Sequence, residues 1–238
     1  MNGFGLDGKL FRGLTKAGDF IILGFLTVLF CIPVVTIGGA LTAAFYSAVK
    51  LVKDEESYVF KDFMKSFKMN FLQGLFVELI LAGLGIFLFL DLRAAAHWAF
   101  VQGSAVGMIF MYAILGIMLV WAAVLLYSFA MLSRYDNNAL VTIKNSLFMC
   151  VHHLPQTIIM MIATYGFIYF SIEYWTAFIV TIPLMLYIDG FVFSKIFKNL
   201  EKEIAERKAE TESIEASGEK VETESIEVSD EKEETEEQ

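Results

Sequence analysis

The sequence predicts an all-α protein: a polytopic transmembrane helical bundle of five full spans plus a short re-entrant or return helix, with two interfacial amphipathic helices and a disordered acidic tail. Three observations lead there. Of 238 residues, 57% are hydrophobic and the mean hydropathy is +0.61, too apolar for a water-soluble domain. Uncharged runs recur at membrane length, the clearest being Phe20 to Val49. The net charge of -9 belongs to the end of the chain: from Ala209 onward 13 acids face 2 lysines, whereas the preceding residues hold 16 Lys or Arg against 14 acids. The chain therefore divides into an amino-terminal segment (1–19), a membrane domain (20–200) and a tail (209–238).

As one helix, the run from Phe20 to Val49 would be about 45 Å long, against a hydrocarbon core of roughly 30 Å. It must tilt, kink or turn back. Pro33 cannot donate a backbone hydrogen bond, and Gly38 with Gly39 tolerates bending, so the break is expected between Pro33 and Gly39. That gives one spanning helix and a shorter return helix.

Next, Phe60, Phe63, Met64, Phe67 and Phe71 fall at helical spacing with Lys61, Asp62, Lys65 and Lys68 elsewhere, the pattern of a helix lying in a membrane interface. Phe71 to Leu90 reads as a span interrupted by Glu78, ending at Asp91 and Arg93, with His97, Trp98 and Gln102 in a short polar connection. Ser104 to Ser133 is uncharged and free of proline, a long tilted helix. Leu140, Ile143, Leu147, Val151 and Leu154 share one face of a second interfacial helix, and Pro155 suits the first turn of the span after it. Glu173, Tyr174 and Trp175 connect that span to the last, which ends near Phe193, the two aromatics fitting an interface belt.

Lysine and arginine accumulate in cytoplasmic loops. If the first run returns to its starting side, 15 of the basic residues before the tail lie on one side and Arg93 alone on the other, so both termini are expected in the cytoplasm. The tail carries no aromatic residue and repeats ETESIEASGEK as ETESIEVSDEK, a composition that buries too little apolar surface to fold by itself.

Glu78 is the intramembrane polar candidate, since an ionised acid deep in a span costs on the order of 2.5 to 3.5 kcal/mol. It is expected either to be neutral or hydrogen-bonded to a neighbouring helix, or to couple a proton or substrate. Asp189 lies near the end of the last span, within reach of the surface or of Lys195. His152 and His153 diverge by about 100° on a helix and have no partner at ligand spacing. Cys31 and Cys150 are too far apart in sequence and depth for an expected disulfide. Zinc-protease, serine-hydrolase, Walker and dinucleotide signatures do not occur. Hence no catalytic, cofactor or metal site is expected, no enzyme, and no nucleic-acid partner; the surroundings are the lipid bilayer, with the lysines at 50, 53, 61, 65 and 68 against anionic headgroups.

The segments CIPVVTIGGALTAAFYSAVKLV, FKDFMKSFKMNF and SRYDNNALVTIKNSL with HHLP resemble the YesL family of bacterial integral membrane proteins, a domain of unknown function, across most of residues 10 to 200. The most specific part is Pro33, Thr36, Gly38 and Tyr46, followed by Asp62, Phe63, Ser66, Phe67, Lys68, Asn70 and Phe71. The resemblance implies a multi-pass protein of the bacterial cytoplasmic membrane whose genes neighbour carbohydrate ABC transporters. The expected function is therefore an accessory or regulatory component of carbohydrate (ABC-type) uptake that contacts a permease or other membrane subunit. The helices at Tyr58 to Phe71 and Asn138 to His153 would form its docking surface, with Pro33 to Tyr46 shaping the membrane-side contact. The alternative is a small-solute transporter or permease using Glu78 and the Pro33–Gly39 break.

Overall fold

The computed structural model describes residues 9–54, 58–174 and 178–236, with side chains over 13–54, 58–174 and 180–211. Residues 1–8 of the amino-terminal segment, Trp175 and most tail side chains lie outside the described residues. Among the described residues seven α-helices run in the order α1 (Lys9–Cys31), α2 (Ile37–Val52), α3 (Val59–Phe100), α4 (Ala105–Leu132), α5 (Ala139–His152), α6 (Leu154–Glu173) and α7 (Phe178–Glu236), with one 3-10 turn at Val34–Thr36. Among the described residues six helices are long and apolar enough to cross a membrane. This is a multi-pass membrane protein.

The first run folds back on itself as a hairpin. Its break falls at Ile32–Thr36 and includes Pro33 as expected, but Gly38 and Gly39 lie inside α2 and do not bend the chain. They allow close approach instead. A Cβ at Gly38 would overlap the Gly74 carbonyl of α3, and one at Gly74 would lie 2.9 Å from Gly38 C and Gly39 N, so the two backbones pack directly. Ala40, Ala43, Ala44 and Ala48 continue the small-residue face, which makes α2 the buried centre of the bundle. At the open end of the hairpin, Lys16 donates to Asp54 at 2.7 Å and to the Val52 carbonyl at 3.3 Å.

α3 corrects two expectations. It is one helix of 42 residues, about 63 Å, into which the Lys-rich segment feeds directly as expected, but the supposed polar connection at His97 and Trp98 is helical. Asp91 and Arg93 are tolerated on its surface, the Ala94–Ala96 run favours helix, and the real turn waits for Gly103, whose φ of +64° suits glycine. Second, most of the aromatic face turns inward, Phe60 alone of its phenylalanines staying exposed. Phe63 is fully buried, and Phe30 of α1 packs against Phe63 and Phe67 with ring centroids 5.4 and 5.0 Å apart. An apolar stripe at helical spacing looks the same whether it meets lipid or protein, and here α1 and α2 cover it.

α5 behaves the opposite way. Thr142, Ser146, Met149 and Cys150 face inward, while Leu140, Leu147 and Val151 of the expected interfacial face are exposed. α4 presses on α3, where Trp121 Nε1 donates to the Leu81 carbonyl at 3.0 Å beside Gly85. The last span packs inward through Pro183 against Gly24, Gly190 against Ala48, and Phe193 between Phe45 and Tyr127.

Residues 1–194 form one compact unit and residues 195–238 a second. α7 runs helically to Glu236. Composition argues against tertiary burial, but a helix satisfies its own backbone, and Glu, Lys and Ala form helix readily. Pairs such as Lys202 with Glu206, 3.5 Å apart at i,i+4, add support.

Candidate functional site

Two rungs hold α2 against α3, and the residues singled out in the sequence collect around them. At the turn end, the backbone N–H of Gly38 donates to Glu78 Oε2 at 2.9 Å. At the other end, Lys50 Nζ lies 3.0 Å from Asp62 Oδ2 in a pair largely removed from solvent. Asp62 and Glu78 stand about 24 Å apart along α3.

The upper rung explains why an acid sits inside a span. The first N–H groups of a helix have no internal acceptor, and in an apolar setting they take one from a neighbouring group. The turn before α2 is apolar and outward-facing, with Ile32 and Val34 each 72% exposed. The polar backbone groups there find partners within the protein. The Thr36 hydroxyl donates to the Phe30 carbonyl at 2.5 Å with the Pro33 carbonyl 2.7 Å away, and the Thr36 N–H bonds Pro33 O. Glu78 then supplies the acceptor for Gly38. A carboxyl group at the positive end of α2 is also favoured by the helix dipole. Of the readings open for Glu78, the geometry realises the hydrogen bond to a neighbouring helix.

Between the rungs, next to the lower one, lies a recess of about 250 Å³, lined by Tyr46, Lys65, Ser66, Asn70, Ser133 and Asp136 among others. It unites the two segments that the sequence had linked only by resemblance, because α2 ends, α3 begins and α4 ends at the same place. Asn70 Nδ2 donates to the Ser66 carbonyl at 3.1 Å, and Gln73 Nε2 reaches across to Asp136 at 3.1 Å. Lys50 sits 5.9 Å from the centroid of the Tyr46 ring.

The predicted residues thus separate by task. Thr36, Gly38 and Glu78 build the turn; Phe63, Phe67 and Phe71 pack; Tyr46, Ser66 and Asn70 line the recess; Asp62 forms the lower rung. Pro33 and Lys68 are exposed. Gln73 was missed, and its signal was a second polar residue one turn after Asn70 in a run otherwise apolar. Asp189 was misjudged: it is 1% exposed and buried in the bundle, not snorkelling to the surface.

An apolar cleft of about 560 Å³ opens between the α1–α2 turn and the α6–α7 hairpin, lined by Val28, Cys31, Leu41, Phe167, Met185 and neighbours. Its hydroxyls are already engaged: Thr27 donates to Leu23 O at 2.8 Å, and Ser171 and Thr181 lie 2.6 Å apart.

Residues 20–92 match the family described as "Protein of unknown function, DUF624", the domain found in YesL-type bacterial membrane proteins. The match runs from within α1 into the last third of α3, so it contains the hairpin turn and both rungs. No curated protein and no solved structure matches the chain.

Proposed function

We propose that this protein is a non-enzymatic accessory or regulatory component of carbohydrate (ABC-type) uptake in the bacterial cytoplasmic membrane, with both termini in the cytoplasm. The observation that carries the reading is the convergence of the two motif-bearing segments on a surface recess at the lysine-rich end of the bundle. At about 250 Å³ the recess falls below the range of small-molecule pockets, so it suits an inserted side chain of a partner better than a bound sugar. The larger cleft is lined by hydrocarbon and offers a sugar few groups to hydrogen-bond. Glu78, on which the transporter alternative leaned, is engaged as the acceptor for α2.

The docking surface must be redrawn from the expectation. Phe63 and Phe67 face α1, so the contact falls to the exposed lysines 61, 65 and 68 beside the recess. The test is purification from the native membrane in mild detergent, with co-purifying proteins identified and sugar uptake measured in a deletion strain. The expected result is recovery of a permease subunit, lost on combined Lys65→Glu and Lys68→Glu. Sugar movement into liposomes by the purified protein alone would replace this reading with the transporter.

A further inference from the structure

We propose that Asp189 is a proton-binding site in the interior of the helix bundle. On α7 it shares one face with Leu186 and Phe193, which are 3% and 0% exposed, and this face packs into α1, α2 and α4. Close approach is possible because the next residue is Gly190: a Cβ there would already lie 3.0 Å from the Ala48 Cβ of α2. Asp189 is 1% exposed, and neither carboxyl oxygen has a hydrogen-bond partner among the described residues. On α2 the hydroxyl of Ser47, immediately before Ala48, is likewise fully buried and without a partner. A carboxylate in such a place has lost its hydration and gained no donor or cation in return.

The ionisable groups on the packed elements are committed elsewhere. Lys50 of α2 pairs with Asp62, Tyr46 lines the recess, and Tyr127 of α4 shares a 3.0 Å hydrogen bond with Thr157. Asp19 of α1 is a second acid and offers no compensating charge, and Lys195 follows on α7 itself. A metal ion would want six or more oxygen ligands, whereas among the described residues no group of three metal-binding side chains occurs. A proton needs one oxygen. It removes the charge and leaves a carboxylic acid the bundle can hold. Loss of that proton would set a bare anion against α2, so proton occupancy governs how α7 seats.

The site is independent of the uptake reading. Its test is infrared spectroscopy of the full-length protein in lipid nanodiscs at neutral pH. The expected result is a protonated-carboxyl C=O band that shifts when aspartate, and not glutamate, carries carbon-13, and that is lost in Asp189→Asn. Seven other aspartates could carry such a band, so the isotope assigns it to an aspartate and the substitution assigns it to Asp189. Where Asp189→Asn fails to fold, Asp189→Glu carries the assignment, the band then following labelled glutamate. Absence of a band that follows labelled aspartate, or survival of that band in a folded Asp189→Asn protein, would overturn the proposal. So would displacement of the band by sodium or potassium, which would make this a metal-cation site.

Discussion

Glu78 and Gly38 stand forty positions apart in the chain and 2.9 Å apart in space, a carboxyl oxygen of α3 closing the first turn of α2. The bond is possible because Gly74, one helical turn before Glu78, lets the two backbones touch. Polar satisfaction and steric fit at this crossing therefore depend on each other.

The steric half is tested by glycine replacement. Gly38→Ala places a methyl group into the Gly74 carbonyl, and with neighbouring backbone on both sides the overlap cannot be relieved by a rotamer change. Overpacking of this kind costs about 1–3 kcal/mol. Gly116→Ala, inside α4 with nothing within 4 Å of the new methyl, should keep or slightly raise thermal stability in detergent. Equal effects from both would contradict the packed crossing.

The lower rung predicts a charge-reversal rescue. Lys50→Ala deprives a mostly buried Asp62 of its 3.0 Å partner, and a hydrogen bond to a charged group is worth about 1.5–3 kcal/mol. Lys50→Asp and Asp62→Lys should each destabilise the protein in denaturant melts. The double variant should regain part of the loss, giving a favourable coupling energy.

Much of this architecture could be read from residue order, and what could not has a common cause. The hairpin was visible because Pro33 interrupts a run too long for one crossing, a property of local sequence. The partner of Glu78 was not visible, because the Gly38–Gly74 contact joins residues with no local relation. Phe63 and Phe67 marked a face correctly, but hydrophobic spacing does not distinguish lipid from a neighbouring helix. His97 and Trp98 read as a connection after Asp91 and Arg93, although two charges do not end a helix that alanines then extend. Asp189 was judged by its distance from a span end, while its burial is set by α1, α2 and α4, which the local sequence does not report.

Cys150 offers a test of the α4–α5 packing. The residue is 3% exposed, and burial pushes its thiol pKa above the ordinary value, so less of it is thiolate at any given pH. Alkylation of Cys150 by a water-soluble maleimide at pH 8 should be slower than that of the unfolded chain, and should accelerate as pH is raised through and beyond the free-cysteine range. Rapid labelling at neutral pH would show that α5 does not bury this face.

Topology follows from the distribution of lysine and arginine. In a cysteine-free background, Gln102→Cys, in the exposed turn between α3 and α4, should react with an impermeant reagent in intact cells. Asn137→Cys, between α4 and α5, should react only after lysis. The reverse pattern would invert the chain in the membrane and move the recess to the outside.

The most direct measurement compares Glu78→Gln with Glu78→Leu, reading thermal stability and sugar uptake in parallel. Glutamine keeps an oxygen that can accept from Gly38, whereas leucine leaves that part-buried backbone N–H without its acceptor, at a cost of about 1–3 kcal/mol. The structure predicts that the glutamine variant stays close to the parent in stability and uptake, while the leucine variant loses stability. A glutamine variant that folds as the parent does, yet abolishes uptake as completely as leucine, would show that Glu78 works by its proton or charge and contradict its assignment as the acceptor that anchors α2.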